Sequence, residues 1–364
     1  MNSIGHKIKS GCIVLISVLL LSQCKNEMDV KITDANIPED ISDYPAIKKF
    51  SEYKMFKFPL ASMQPEESVI PYDLNSSLFT DYAFKKRFIF LPKGTAMDYH
   101  ATETFDFPVG SMIFKFFYYP SDFSQPEKNI KIIETRVLIK HEQNWQALTY
   151  IWNDEQSDAV LSLAGDYAVV NWTDESGKSF RLKYSVPGIL QCKSCHEYNG
   201  KINPIGPAAR HMNKLYSFQN GSINQLEYFK NQNKLNHLPS KENILSNASW
   251  ENIHEDVSAR SRAYLDINCS FCHRKEGPAR NSGLYLTSFE QNESVLGIYK
   301  SPVAAGRGSG RLKYDILPGK PESSILVYRM KSLEPGIMMP ELGKRTIHTE
   351  GVALISDWIQ KMEN

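Results

Sequence analysis

The sequence lacks an excess of charge of either sign. Its 42 Lys and Arg residues nearly balance 41 Asp and Glu residues, which leaves a formal net charge of +1 at pH 7. No basic excess therefore points to nucleic acid, and no long acidic tail points to a cationic partner. With 364 residues, of which 41% are hydrophobic and 23% charged, the chain is ordinary for a globular protein and long enough for two or three domains.

Cysteine is also scarce, and its few copies are not scattered. Four of the six cysteines form two runs of the pattern Cys-x-x-Cys-His, at 192–196 and 269–273, and the other two lie near the N-terminus. Covalent attachment of haem c requires this pattern, because two thiols bond to the porphyrin vinyl groups and the next residue places its imidazole on the iron. We therefore predict two covalently bound haem c groups. Their attachment residues are Cys192, Cys195, Cys269 and Cys272, and their iron ligands are His196 and His273.

Three other uses of paired cysteines have to be weighed against haem. A four-cysteine zinc site usually joins its two halves over a short loop, whereas 73 residues separate Cys195 from Cys269. A thioredoxin-like dithiol does not need the following histidine twice. Disulfides that span only two residues each would be strained. The repeated histidine favours haem over all three alternatives.

The N-terminus predicts export from a bacterial cytoplasm. Basic residues precede the apolar stretch 12–21, which is too short to span a bilayer and suits a signal peptide over 1–23. The run Leu-Ser-Gln-Cys at 21–24 resembles the lipobox of bacterial lipoproteins, although Gln23 departs from the usual small residue. We predict a lipid anchor at Cys24, on the periplasmic side or the cell surface. A plain secretory signal and a retained anchor are the alternatives, and the polar segment 24–44 is expected to be a tether.

From 45 to 188 the pattern predicts an antiparallel β-rich domain. Runs of β-branched and aromatic residues are separated by Gly, Pro, Asn and Asp, and this spacing favours a sandwich or barrel over a parallel sheet. The predicted strands are Arg87–Leu91, Met112–Tyr119, Ile130–Lys140, Trp145–Trp152, Tyr167–Trp172 and Phe180–Tyr184. Because this domain ends directly before Cys192, we expect its open end to form one wall of the first haem pocket.

From 189 to 250, the first haem-binding segment, the pattern is helical and looser. Helices are expected over 208–218 and 223–234, with a Gly-Ser pair between them as stop and cap. No motif fixes the second axial ligand of the first iron. We take Met212 as the candidate, with His211 as the next choice and an open iron as the third possibility.

The last segment, 251–364, is expected to form a domain of its own. Helices are predicted over 257–266, leading into the second motif, and over 349–361, where apolar residues form a stripe. Small cytochromes c are built from such a pair of crossing helices. The predicted fold class is therefore multidomain, with an N-terminal antiparallel β-rich domain followed by mainly α cytochrome c-like haem domains.

A methionine in this last segment is placed to bind the second iron. Met339 follows His273 by 66 residues and directly precedes Pro340. Proline has a fixed φ and no N–H, and therefore suits an extended loop held against a haem. We predict Met339 as the distal ligand. Met338 is the alternative, and the remaining possibility is that both are ordinary apolar residues.

Several runs carry a resemblance to known families. The last segment resembles class I cytochrome c, and its Pro318–Ser324 run resembles one found before the Met loop in bacterial redox proteins. The exported chain as a whole resembles a little-characterised family of bacterial two-haem c-type cytochromes. The matching runs are Asn75–Ala83, Phe107–Gly110, Glu134–Arg136, Tyr150–Asn153 and Gly277–Leu284. The resemblance implies haem redox work and names neither partner nor reaction.

A weaker resemblance concerns the β-rich domain. The order of the run 107–110, then Lys115, Trp145 and a Cys-x-x-Cys-His motif is similar to that in the cytochrome P460 group, which leaves the distal iron face open. The lysine cross-link of that group is not assigned here, and Lys115 is expected to be a surface lysine.

Two functions from different classes follow. In the first, the anchored protein is an electron carrier between a redox partner protein, such as a dehydrogenase, and an acceptor, with both irons six-coordinate. In the second, it is a peroxidase-like or P460-like haem enzyme, whose first iron is open and receives electrons from the second.

Overall fold

The structure, a computed structural model, describes residues 47–303 and 305–363. The predicted signal peptide, the lipidation site Cys24 and the tether 24–44 lie outside the described residues. The segment 45–364 forms a structural unit by itself. No helix in the described part of the chain has the length and hydropathy that crossing a membrane requires.

Seven strands occupy the first part of this unit. They are β1 (Val69–Tyr72), β2 (Phe84–Phe90), β3 (Met97–Asp98), β4 (Met112–Pro120), β5 (Ile130–Lys140), β6 (Trp145–Trp152) and β7 (Ala159–Leu161). All except β3 join one antiparallel sheet in the order β1-β2-β4-β5-β6-β7. Aromatic and β-branched residues suit the pleated surface, and successive side chains point to opposite faces.

One face of this sheet is covered by the chain that precedes β1. Phe50, Tyr53 and Phe56 pack there against Phe114 and Phe116 of β4. The ring centroid of Phe50 lies 5.5 Å from that of Phe116 in an edge-to-face contact, and 5.5 Å from that of Phe56, whose ring is tilted by 33°. This face is therefore an aromatic core, and any site that the sheet supports lies on its other face.

The other face is partly covered by a two-stranded ribbon, β8 (Gly165–Thr173) and β9 (Ser179–Pro187). Trp172 and Tyr184 of the ribbon pack with Phe117 and Tyr119 of β4. The ribbon covers only one end of the face. The arrangement thus differs from the expected sandwich or barrel, and it leaves the middle of the face for the segment that carries the first motif.

Helices in the described residues are short. They are α1 (Ile189–His196), α2 (Ala209–Met212), α3 (Gln225–Asn231), α4 (Val257–Asn268), α5 (Glu293–Leu296), α6 (Ile325–Met330) and α7 (Thr349–Lys361). Further strands lie between them, namely β10 (Glu197–Tyr198), β11 (Lys201–Ile202), β12 (Leu215–Phe218), β13 (Gly221–Asn224) and β14 (Leu235–Asn236). The structure is mostly β, with one large antiparallel sheet. The predicted fold class, with mainly α cytochrome c-like haem domains, is therefore wrong.

The expected helix 208–218 shows the physical reason for this error. The helix ends at Met212, and the residues that follow form the hairpin β12-β13 instead. Tyr216 and Phe218 favour a strand, and Gly221 has a φ of +118°, which few other residues adopt. The second expected helix, over 223–234, is reduced to α3 because β13 occupies its first residues.

Two longer helices cross in the last segment. Leu265 of α4 packs with Val352, Ile355 and Ile359 of α7. The helices approach closely at Gly351, where a Cβ atom would lie 2.3 Å from the Tyr264 hydroxyl oxygen. Glycine is therefore required for this crossing, which fixes the direction in which α4 delivers the second motif.

Candidate haem-attachment sites

The first Cys-x-x-Cys-His motif lies on α1, directly after the ribbon. The chain turns from β9 into α1 at Gly188, where a Cβ atom would lie 2.7 Å from the Ala164 carbonyl oxygen. Only glycine allows this close approach, so the turn fixes the start of α1. The helix in turn places Cys192 under the sheet, with its Sγ 3.8 Å from Thr149 Oγ1 of β6. Burial raises the pKa of the Cys192 thiol.

The imidazole of His196 is held by one nitrogen only. Its Nδ1 lies 2.8 Å from the Asn203 carbonyl oxygen, which requires the proton on Nδ1 and leaves Nε2 with its lone pair. Burial lowers the pKa of His196 to about 4, so the ring is neutral at physiological pH. A neutral ring with an oriented Nε2 is the form in which histidine binds a metal.

A cavity opens between α1 and the sheet. Cys192 and His196 both line it, together with apolar residues such as Leu74 and Ile113, and with Lys115. These residues fit a haem, which needs an attachment thiol, an axial imidazole and apolar walls. The β-rich segment does form a wall of the cavity, and Lys115 lines that cavity instead of lying on the outer surface.

A row of charged side chains crosses the middle of the sheet face that forms this wall. Arg87 of β2 pairs across the ladder with Lys115 of β4, and Lys115 pairs with Arg136 of β5. The next position along the row is Thr149 of β6, the neighbour of Cys192. All three cations line the cavity. We call Arg87, Lys115 and Arg136 the cation row.

The second motif begins where α4 ends. The run 277–284, noted in the sequence only for its resemblance, folds back onto this motif. The Ala279 N–H donates to the Cys272 carbonyl oxygen at 3.1 Å, and a Cβ on Gly277 would lie 2.4 Å from that oxygen. Ser282 Oγ lies 3.3 Å from His273 Nδ1. Burial lowers the pKa of His273 to about 4, so this imidazole is also neutral.

The loop that carries Met339 is fastened near the second motif. The Met339 N–H donates to the Arg329 carbonyl oxygen at 3.1 Å, and Lys344 Nζ donates to the Met339 carbonyl oxygen at 3.1 Å. Burial lowers the pKa of Lys344 to about 8, an effect that Asp81 and the Cys269 thiol partly oppose. Lys344 therefore lies within electrostatic range of Cys269 while it holds the loop. Met339 as a ligand of the second iron stays a prediction. The backbone N–H of Met338 donates to the Glu334 carbonyl oxygen, whereas that of Met339 donates to Arg329.

The two candidates for the sixth ligand of the first iron lie in different surroundings. Met212 is fully buried in an apolar cluster with Leu226 and Phe229, and it is not among the residues that line the cavity beside Cys192. His211 lines a second cavity, and burial lowers its pKa to about 3. Its Nε2 is 4.0 Å from Asp266 Oδ2. The identity of the sixth ligand stays a prediction.

The two motifs lie side by side, which nothing in the sequence indicated. The second cavity, which His211 lines, is also lined by Cys195 and His196 of the first motif and by Phe271 of the second. Cys272 Sγ is 4.0 Å from the Ser194 carbonyl oxygen. The segments after the motifs are also joined, because the Asn199 N–H donates to the Glu276 carbonyl oxygen at 2.8 Å.

Two of the ion pairs in this region join residues that are far apart in the chain. Arg274, next to His273, binds Glu103 at 2.8 Å, and its guanidinium lies 4.9 Å from the ring centroid of Tyr198. Arg210 of α2 binds the buried carboxylate of Asp266 on α4, with Nε 2.7 Å from Oδ2. Sequence reasoning missed both pairs, because their partners are far apart in the chain and no motif marks them.

Comparisons with known proteins give no further assignment. No protein-family model matches the chain, and neither the curated proteins nor the solved structures include a significant match. The four motif cysteines are free thiols in the structure. Across residues 47–303 and 305–363, no group of three or more His, Cys, Asp or Glu side chains is arranged to hold a metal ion.

Proposed function

We propose that this protein is an exported dihaem c-type cytochrome that transfers electrons. The observation that carries the proposal is the pairing of the two motifs. Each places a neutral imidazole with a fixed Nδ1 next to two thiols, and Cys272 of the second motif touches Ser194 of the first. Two redox groups attached at such neighbouring positions form a path for single electrons.

The residues of the chain have distinct parts in this function. Haem would supply reversible one-electron chemistry at each motif. The carbonyl group of Asn203 and the hydroxyl group of Ser282 orient the two imidazoles, and thereby set the nitrogen that faces the iron. Glu197, directly after His196, lies 3.6 Å from Arg280 and thereby joins the residues after the first motif to those after the second. The apolar residues in the lining of the first cavity, such as Leu74 and Ile113, would shield part of an attached haem from water and so lower the reorganisation that accompanies electron transfer.

A second candidate function, a haem enzyme, is favoured by the lining of the first cavity. Its described lining includes Lys115 and Arg136 but no methionine, and no imidazole other than that of His196. An iron held there by His196 would face cations instead of a sixth protein ligand. Such a site suits the binding of a small anion or peroxide, with electrons supplied from the second motif.

We further propose that lipidated Cys24 anchors the protein on the outer side of a bacterial membrane and that the electron donor or acceptor is another redox protein. The lipobox-like run at 21–24 supports this proposal. A Cys24→Ser variant is expected to appear in the soluble fraction with its haem content unchanged. Fractionation identical to that of the parent protein would contradict the anchor.

A haem count on denatured protein tests the function directly. The full chain is produced in a host that has the cytochrome c maturation system. We expect two haems that resist acid-acetone extraction, and we expect Cys195→Ala and Cys272→Ala each to lose one stably held haem. A parent protein without extraction-resistant haem would refute the proposal. Ser194→Ala lies within the first motif but removes no attachment thiol, and is the matched control.

Carbon monoxide separates the two candidate functions. It binds reduced iron only where the sixth position is open. If the protein is a carrier with two closed irons, the reduced spectrum should not change with carbon monoxide. Binding at one haem of two, with the second haem still low-spin, would identify the first site as open and favour the enzyme.

A further inference from the structure

We propose that the cation row, Arg87, Lys115 and Arg136, is an anion site that binds oxyanion groups in the cavity beside Cys192. The groups have one of two sources: the carboxylates of a porphyrin attached at the first motif, or a free small oxyanion. The site itself rests on the geometry of the sheet. Only its porphyrin source rests on the proposed function.

The row places three basic side chains next to one another, and without a bound anion their mutual repulsion would destabilise the fold. Cross-strand neighbours in an antiparallel sheet have side chains about 5 Å apart, and like charges there repel each other. Lys115 is the central member and has a guanidinium group on each side. A fourth cation, Lys85 of β2, lies 5.9 Å from the ring centroid of Phe117, which also faces Lys115 at 4.9 Å.

The acidic groups near the row are already used by its two ends. Asp73 binds Arg87 at 3.0 Å and shares its other oxygen with Lys214. Glu134 binds Arg136 through both oxygens, at 2.6 and 2.9 Å, and also accepts from the Tyr184 hydroxyl group. Lys115 takes part in none of the ion pairs found in the described part of the chain. Its charge is therefore the one in the row without a counter-charge.

The space in front of Lys115 can hold such a counter-charge. All three cations line the cavity that Cys192 and His196 also line. An oxyanion there would meet one ammonium group and two guanidinium groups, whose N–H groups are the strongest donors for carboxylates and inorganic oxyanions. A porphyrin bonded at Cys192 would enter the same cavity and bring two carboxylates with it.

The test compares Lys115→Met with Lys86→Met in the full haem-loaded protein. Lys86 is on the same sheet, between Lys85 and Arg87, and its side chain points away from the row to an exposed ion pair with Glu127. Lys115→Arg keeps the charge and serves as the conservative variant. Unfolding temperatures are measured with and without sodium sulfate at constant ionic strength, and also in a Cys192→Ala/Cys195→Ala background that lacks the first haem.

The direction in which the unfolding temperature changes distinguishes the possible ligands and tests the proposal. If porphyrin carboxylates occupy the row, Lys115→Met lowers the unfolding temperature of haem-loaded protein but raises it in the background without the first haem, because there the substitution removes a buried amino group that has no counter-charge. If a free oxyanion is the ligand, sulfate stabilises the parent protein saturably, and Lys115→Met weakens this binding at least tenfold while Lys115→Arg retains it. The sulfate result stands even if the protein carries no haem. The proposal is overturned if Lys115→Met raises the unfolding temperature of the haem-loaded protein and sulfate has no saturable effect.

Discussion

Asp266 is the residue that joins the two halves of the candidate site. It is almost completely buried on α4, three residues before Cys269, and it accepts hydrogen bonds from Arg210, Asn247 and Ser270. Burial alone would raise the pKa of its carboxyl group, but Arg210 and His211 hold that pKa well below the usual range. The carboxylate is therefore charged and fully used in binding α2 and the start of the second motif.

We expect Asp266→Asn to lower the free energy of unfolding by about 3–5 kcal/mol, because the substitution leaves the buried guanidinium of Arg210 without its counter-charge. Denaturant unfolding measures this change. The control is Asp357→Asn, which breaks an exposed pair with Lys361 and should cost about 1 kcal/mol or less. Equal effects of the two substitutions would show that Asp266 does not hold the site together.

Met339 gives a second prediction at the scale of one residue. If its thioether binds the second iron, Met339→Ala should abolish the weak sulfur-to-iron charge-transfer band of the oxidised protein and lower the reduction potential of that haem. Met338→Ala is the matched control, because Met338 is the adjacent residue, and it should leave the band intact. The reverse pattern would move the ligand by one residue. Loss of the band with neither variant would remove this loop from the site.

Among the site residues that the sequence predicted, the six of the two motifs follow from a covalent pattern, whereas Met212 and Met339 follow only from their positions in the chain, and the roles of all of them stay predictions. The two Cys-x-x-Cys-His runs identify four cysteines and two histidines, because haem attachment depends on residues that are close together in the chain. Lys115 was expected at the surface, since a single lysine in a strand gives no sign of which face it occupies or what lies opposite. Asp266 and Arg210 are 56 residues apart, and their pairing depends on tertiary packing alone.

At the scale of elements, strands were easier to predict than helices. The six predicted β runs coincide with β2, β4, β5, β6, β8 and β9 to within a few residues, because aromatic and β-branched residues form dense runs there. The helices over 257–266 and 349–361 were also found, the second with unchanged bounds. The expected helix 208–218 was wrong because its two ends contact different parts of the protein: Met212 enters the sheet's core, and Tyr216 pairs in a hairpin.

The close crossing of α4 and α7 predicts that replacing Gly351 with alanine destabilises the protein, which is the opposite of the usual effect of this substitution in a helix. In an ordinary helix, Gly→Ala stabilises by up to about 1 kcal/mol. At Gly351 the new methyl group would lie 2.3 Å from the Tyr264 hydroxyl oxygen, so we expect destabilisation by about 1–3 kcal/mol. Thermal unfolding measures the effect, and Gln360→Ala, at an exposed position of α7, should be nearly neutral. A stabilised Gly351→Ala protein would mean that the two helices are not in close contact.

At the scale of the whole molecule, the main finding is that segments 73 residues apart meet as neighbours. The sequence pattern placed one motif in each of two successive segments and gave no relation between them. The structure joins them through the ion pair of Glu197 with Arg280 and through the backbone of Asn199 and Glu276. Such long-range contacts depend on how the sheet, α2 and α4 pack together, which no local pattern reports.

Under the proposed function, this adjacency predicts that two attached haems would influence each other. An oxidised second haem adds positive charge close to the first, and a low-dielectric interior transmits this charge effectively. We therefore expect the first haem to be easier to reduce while the second is oxidised. Spectroelectrochemical titration of the parent protein and of Cys269→Ala/Cys272→Ala measures the effect. A first-haem potential that is identical in both proteins, at every state of the second haem, would contradict the prediction.

The burial of Cys192 has a consequence for the order of events in biogenesis. Only 7% of this residue is exposed, and its sulfur lies against Thr149 of β6. The strands that enclose it precede it in the chain. If the protein is exported as proposed, these strands leave the export channel before Cys192 does. Under the proposed function, the thioether bond to Cys192 therefore has to form before this part of the chain folds. If the chain folds first, the Cys192 thiol is buried and the maturation machinery cannot reach it. If the porphyrin is attached first, the chain folds around the porphyrin as it would around a large side chain.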